Sequence, residues 1–366
     1  FFGGIHGNEP SGVFALRKVL DEIKQSGLVI NGNVFAIAGN LTALRNGVRY
    51  ADTDLNRLWT REFIHPDLTP KEEKMHDSVE HHEMSSLLEV LRNIKSSCSD
   101  PFYFIDLHST SSGSSPFLTI NDTILNRKFA LRYRVPIILG IEEYLNGPLL
   151  SYLNLSGYVS VGFEAGQHDS IDTILAHESF IYKTLSITGC LNNLPSNNKK
   201  TVEGNNTVEP KIFEILFRYE IGKGEKFRMN NGFTNFQSIR KGCPLAISNQ
   251  KVLFAPSSGR IFMPLYQDQG DDGFFIIRKV PFVLLKISAF LRKIKLDRML
   301  ALLPGINWED EQQKIIIVNR RIAKFFAKDF LHILGFRLIQ RTRFQLTARK
   351  REDDVLNKRY RKESWA

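Results

Sequence analysis

The chain has 366 residues, 42% of them hydrophobic and 24% charged, which is enough apolar material for one large core or two medium ones and excludes a disordered or fibrous protein. No run of about eighteen apolar residues is present, and the stretch from Val280 to Ile287 is broken by Pro281 and Lys286, so a transmembrane segment is not expected. The formal net charge is +10, yet the residues from 281 onward carry 20 Lys and Arg against 9 Asp and Glu, leaving 29 against 30 in the first 280. The excess therefore sits in a C-terminal tail, as on a solvated helical face or a docking arm, and no nucleic acid partner is expected.

Three widely spaced cysteines, Cys98, Cys190 and Cys243, and the lack of a secretory signal fit thiols in a reducing compartment, hence a cytoplasmic protein. The chain opens at Phe1 rather than Met, so its natural start is expected upstream.

In chain order, apolar runs near Phe1 to Ile5, Asn33 to Ala38, Tyr103 to Leu107 and Tyr158 to Phe163 predict strands. Pro10 to Gln25, with Pro at the first helical position, and Lys71 to Lys95 predict helices. Strands alternating with helices imply an α/β fold built on a mixed, mostly parallel sheet flanked by helices. Pro195 to Thr207 is polar and reads as a linker. Beyond it, short alternating runs separated by turns such as Asn231-Gly232 and Asp272-Gly273 predict a smaller C-terminal all-β domain, and the last stretch returns to helical periodicity. The expected division is 1–195, 208–284 and a basic helical extension over 285–366.

Four segments carry chemistry. In Gly3-Gly4-Ile5-His6-Gly7-Asn8-Glu9-Pro10 a His and a Glu stand three residues apart where a strand gives way to a helix, so both can converge on one ion; a lone His there can equally be a satisfied core histidine. Phe102 to Thr110 is an apolar strand ending in Asp106, His108 and small hydroxyl residues, at the strand end where open α/β sheets bind ligands. Alternation puts Asp106 on the side of His108, where it can orient the imidazole. Two imidazoles and a carboxylate leave a zinc ion an open position, the pattern of a catalytic site. Val159 to His168 delivers Glu164 into a glycine-bearing loop, either as a general base or as a surface carboxylate; His168 receives no role. Asn46 to Arg57 packs Arg49, Asn56 and Arg57 into a loop that can hold an acidic group or stabilise an oxyanion, or whose arginines can be salt-bridged to Asp52 and Asp54.

In this order, H-G-N-E-P, R-Y-x-D-x-D-L-N-R, D-L-H-S-T and F-E-A-G-Q-H resemble the succinylglutamate desuccinylase/aspartoacylase family of the zinc carboxypeptidase clan. The likeness covers about residues 1–190 and more weakly the β region, where Ala255 to Ile261 looks like a family segment. It implies a zinc carboxypeptidase-like fold, one zinc ion held by His6, Glu9 and His108, and Glu164 as catalytic base. By the same likeness Arg49 polarises the scissile carbonyl, and Asn56 and Arg57 bind the substrate carboxylate.

The pattern is departed from at Asn154, where an arginine of aspartoacylase would fall, which argues against N-acetylaspartate, and in the extension from about 285. That extension could join a homo-oligomer, contact a membrane surface or act as a lid. The expected activity is hydrolysis of the amide of a carboxylate-bearing N-acyl amino acid or similar N-acyl amine by metal-activated water. A metallocarboxypeptidase or amidase on peptide-like substrates, or a non-catalytic binding protein using the basic tail, are the alternatives.

Overall fold

The computed structural model describes residues 1–60, 64, 78–193, 210–309, 314–322, 327–351 and 356–366. The apolar runs of the first half form β1 (Phe2–Gly3), β2 (Ile37–Ala38), β3 (Tyr103–Thr110), β4 (Phe117–Ile120), β5 (Ile137–Leu139), β6 (Val159–Gln167) and β7 (Ile212–Glu220). After these come β8 (Phe227–Met229), β9 (Ser238–Ile239), β10 (Pro244–Ser248), β11 (Lys251–Phe254), β12 (Gly259–Phe262) and β13 (Asp272–Lys279). The last strands are β14 (Ile306–Trp308), β15 (Ile315–Asn319), β16 (Phe336–Arg341) and β17 (Gln345–Lys350).

Ten strands make one mixed sheet in the order β2-β1-β3-β6-β4-β5-β7-β13-β12-β9. From β2 to β6 the pairs are parallel, as are β4 with β5 and β5 with β7, whereas β4 runs against β6 and the strands beyond β7 are antiparallel. Helices cover both faces because alternate strand residues are apolar on both sides. On one face, Ala15, Leu16, Val19 and Ile23 of helix Ser11–Gln25 and Phe180, Ile181 and Leu185 of helix Ile171–Ile187 pack on Ile105, Leu107, Val161 and Phe163. On the other, Met84, Leu87, Leu88 and Leu91 of helix Val79–Ser97 pack with Phe2, Phe104 and Leu149. Each such buried side chain contributes roughly 1.5–3 kcal/mol of transfer free energy, so the two helix layers hold the strand ends rigidly.

Pro10 stands at the N-cap of the first helix, one position before the first helical residue. The expected linker 195–207 and the first residues of the expected helix 71–95 lie outside the described residues. Among the described residues no helix is long and apolar enough to cross a membrane.

The β part expected in the second half is present, and the expectation of a helical extension is corrected. Residues 208–284 do form strands, but β7, β13, β12 and β9 extend the main sheet, and β8, β10 and β11 form a small sheet beside it. The extension from 285 is not helical throughout. Helices span Phe282–Lys293 and Ala327–Ile333, while β14, β15, β17 and β16 form a four-stranded antiparallel sheet. Its register pairs Ile316 with Ala348 and Val318 with Leu346, and all four are buried. Runs of three to six residues are too short to tell period two from a helix face in sequence; burial against a partner strand decides the matter.

The extension is built into the body. Asp122, just after β4, meets Arg127, Arg292 and Arg351, and the hydroxyl of Tyr360 donates to Phe102 O while accepting from Val159 N.

Candidate active site

The loop after β1 presents His6 and Glu9 through a turn closed by Glu9 N donating to His6 O at 3.1 Å. Gly4 has φ of +70°, and a Cβ on Gly7 would lie 2.1 Å from the carbonyl carbon of Ala43, so glycine is required at both places. Gly7 N donates to Arg49 O, tying this loop to the one that carries the arginines.

His108 and Glu164 come from β3 and β6, where they are direct register partners. On β3, Ile105 and Leu107 face one helix layer and Phe104 the other, which places Asp106 and His108 on the Phe104 side. Gly162, one residue pair before Glu164, leaves room for Thr119 and Leu150, since a Cβ there would lie 2.5 Å from Thr119 Oγ1.

The Glu9 carboxylate bridges the two imidazoles: Oε1 is 2.9 Å from His6 Nδ1, and Oε2 is 2.9 Å from His108 Nδ1 and accepts from Ser109 N at 3.1 Å. Each imidazole has a second carboxylate on its far nitrogen, with His6 Nε2 3.2 Å from Asp54 Oδ1 and His108 Nε2 2.8 Å from Asp106 Oδ2. Asp106 thus stands at ion-pair distance from His108, and Asp54 stands likewise to His6. One ligand atom each from His6, Glu9 and His108 lies within 4.8 Å of the others, all three residues are buried, and the group could hold a metal ion. Two nitrogens and one oxygen with outer carboxylates is the donor set of a catalytic divalent site.

Burial works against charge on Glu9, but the imidazoles of His6 and His108 outweigh it and hold its carboxyl well below the usual range. Burial also opposes charge on His108, and Asp106 and Glu9 overcome it, raising the imidazole well above its ordinary value. Glu164 goes the other way. Burial pushes its carboxyl up to about 8, countered by His108 and reinforced by Glu9 and Asp106, and Oε2 has no hydrogen-bond partner among the described residues. A carboxyl raised in this way beside a group that could hold a metal ion is poised to exchange protons near neutral pH.

Arg49, Asn56 and Arg57 line the same cleft as His6, Glu9, His108 and Glu164. The salt-bridged alternative for the arginines is present in part. Arg49 donates to Asp54 Oδ2 at 3.1 Å and comes within 3.5 Å of Glu9 Oε1, whereas Arg57 donates to Asp272 Oδ2 at 2.8 Å, on β13. Asp52 instead accepts from Val79 N. Asn56 Oδ1 accepts from Leu149 N, fixing the loop to the helix Leu149–Leu155.

Sequence reasoning missed the lid of the site. The loop between β12 and β13 brings Gln267 Oε1 to accept from Asn8 Nδ2 at 2.9 Å and to lie 3.0 Å from His168 Nε2, while Gln269 Oε1 accepts from Arg49 N. His168 in turn contacts Ser109 Oγ at 2.8 Å through Nδ1. These glutamines are more than 200 residues from the loop they clamp, and a polar loop gives no local signal of such a contact. The cleft is also lined by the apolar side chains of Ile141, Leu145, Pro148, Leu150, Met263 and Phe275.

The fold and the buried His–Glu–His group define a mixed α/β protein with a candidate metal centre at its strand ends. Residues 1–142 match the succinylglutamate desuccinylase/aspartoacylase catalytic domain. The succinylglutamate desuccinylase of Photorhabdus laumondii is 38% identical over 61 residues, 17% of this chain and 19% of that protein. That of Chromobacterium violaceum is 36% identical over 66 residues, 18% of this chain and 20% of that protein. The chain therefore matches about a fifth of the length of these curated relatives. The solved succinylglutamate desuccinylase of Vibrio cholerae superposes with a TM-score of 0.57 at 18% identity, over 76% of this chain and 80% of that one. Murine aminoacylase 3 does so with 0.53 at 18%, over 76% and 94%. At these identities the solved structures speak for the fold.

Proposed function

We propose that this chain is a zinc-dependent amidohydrolase acting on a carboxylate-bearing N-acyl amino acid or a similar N-acyl amine. The observation that carries the reading is the His6, Glu9 and His108 group with Glu164 beside it at the base of one cleft. The names of the relatives, succinylglutamate desuccinylase and aminoacylase, point the same way.

One zinc ion per chain, held by His6, Glu9 and His108, would polarise the scissile carbonyl and acidify water. Glu164 takes a proton from the water as its oxygen bonds to the amide carbon, then delivers that proton to the departing nitrogen as the C–N bond breaks, leaving a carboxylate and an amine. Arg49, fixed by Asp54, donates to the carbonyl oxygen as charge collects on it. Asn56 and Arg57 receive the substrate carboxylate, with Asp272 holding the Arg57 guanidinium in place. The apolar side chains of the cleft take the uncharged part of the substrate. The free thiols of Cys98, Cys190 and Cys243 fit a reducing, cytoplasmic setting.

Product analysis tests this reading. Zinc-loaded protein is incubated with a panel of N-succinyl and N-acetyl amino acids beside peptides with free C-termini, and released amines are quantified. Release from N-acyl amino acids in preference to peptides is expected. Release from peptides alone would make the chain a carboxypeptidase, and no release from any substrate by folded, metal-loaded protein would overturn the hydrolase reading.

A further inference from the structure

The helix Phe282–Lys293 buries two polar side chains beside Leu285 and leaves most of its apolar residues outside. Its inward face carries Ser288, which donates to Ile333 O at 2.7 Å, and Arg292, which reaches Asp122 Oδ2 at 3.1 Å. Its outward stripe is Val283, Ile287, Phe290 and Ile294, spaced as one helical face and exposed to 65%, 43%, 60% and 51%. Past the helix Met299, Leu302 and Leu303 are exposed as well, and Ile322, also exposed, packs over Gly305. A soluble surface seldom leaves a contiguous patch of this kind uncovered.

Charge shows what would cover it. Lys286 and Lys293 flank the stripe on the helix, and Lys295 and Arg298 follow it. From 281 to 308 the single acidic residue, Asp297, is buried and paired with Lys350 Nζ at 2.9 Å. Residues 281–308 thus offer large apolar side chains and cations with no exposed anion of their own, while Asp329 of the neighbouring helix Ala327–Ile333 lies 3.6 Å from Arg278 Nη2. An isologous contact between two copies would bring these cations against one another, whereas a bilayer bearing anionic headgroups satisfies both features at once.

We propose that this face seats the protein on an anionic membrane surface, with the stripe of helix Phe282–Lys293 in the acyl boundary and its lysines among the headgroups. The helix is far too short to span a bilayer and would lie in the interface. The ion cluster on its inner side keeps the helix attached to the body, so binding would carry the whole fold to the membrane. This inference does not depend on the hydrolase reading.

Vesicle flotation with the full chain tests it, comparing phosphatidylcholine alone with phosphatidylcholine containing phosphatidylserine. The protein is expected to float with the anionic vesicles, to do so less as salt is raised, and to bind at least tenfold more weakly as Ile287→Glu/Phe290→Glu with an unchanged circular dichroism spectrum. Should that variant fail to fold, Lys286→Glu/Lys293→Glu replaces it, with the same loss expected. Folded protein that remains unbound, or variants that bind as the wild type does, would overturn the proposal. So would a dimer, seen by light scattering, that the same substitutions dissociate without vesicle binding by the wild type.

Discussion

His108 and Glu164 are register partners on the adjacent parallel strands β3 and β6. Because side chains alternate along a strand, partners in register project to the same face, and here that face opens into the cleft holding His6, Glu9 and Arg49. The candidate base is thus fixed beside the candidate ligand by backbone hydrogen bonding, not by a flexible loop. Replacing Glu164 with Gln preserves shape and removes the proton acceptor. Turnover should fall by roughly 10²–10⁴-fold with metal content unchanged, as read by steady-state kinetics beside elemental analysis.

The same carboxyl sets a pH dependence. Burial pushes Glu164 up to about 8, a bound cation would draw it down, and only the ionised form accepts a proton. The acid limb of kcat/KM should therefore lie between the ordinary carboxylate range, about 4.3, and that value, and it should vanish from the residual activity of Glu164→Gln. A limb that persists in the variant would belong to another group.

Asp54 and Asp106 would act on a bound metal through the imidazoles of His6 and His108 that they face. Asp106→Asn or Asp54→Asn should weaken metal binding by about 10–100-fold in a competition titration with a chelator, while His108→Ala should lose the ion. Unchanged affinity in both Asn variants would show that the imidazoles are held by packing alone.

Gln267 bonds to Asn8 and contacts His168, closing the β12–β13 loop over the site. Two hydrogen bonds of about 1 kcal/mol each would be lost in Gln267→Ala. A fall of roughly tenfold in kcat/KM with little change in melting temperature is expected, and a change confined to stability would remove the loop from the reaction.

The Asp122 carboxylate is held well below the usual range, the three guanidinium groups of Arg127, Arg292 and Arg351 outweighing its burial. Asp122→Ala would leave cations buried without their anion, at a cost of about 3–5 kcal/mol in denaturant unfolding. A loss below about 1 kcal/mol would mean that water enters and solvates the arginines.

His177 lies buried against Phe163, and burial, with a smaller push from His108, lowers its imidazole to about 3. Below its unfolded value of 6.5 the unfolded chain takes up a proton that the folded one refuses, so stability falls as pH drops toward 3 and is unaffected above 6.5. Between pH 6.5 and 4.5 the wild type should lose roughly 2–3 kcal/mol that His177→Leu retains, measured by urea titration at each pH.

Much of the site was readable in order along the chain. His6 with Glu9, and Asp106 with His108, sit at ends of apolar runs, where local spacing alone puts polar groups at a strand terminus, and the structure brings all of them with Glu164 into one cleft. The arginine loop was readable only as a choice. Arg49 does pair with Asp54, one of the two alternatives, but Arg57 finds Asp272 on a strand more than 200 residues away. The extension defeats a helical expectation because β15 and β17 are short, and over five or six residues period two and a helix face look alike.

By itself the sequence determined the α/β class, the strand-end positions of the candidate ligands and base, and the location of the excess positive charge, since each follows from periodicity or composition over a few neighbouring residues. Only the tertiary structure decided that the late strands continue the main sheet, that Gln267 and Gln269 close the cleft, and that the helix Phe282–Lys293 leaves most of its apolar residues outside. Those outcomes depend on which distant segment a strand pairs with or a helix face meets, and Arg292 and Ser288 could point inward only because Asp122 and Ile333 were already there to receive them.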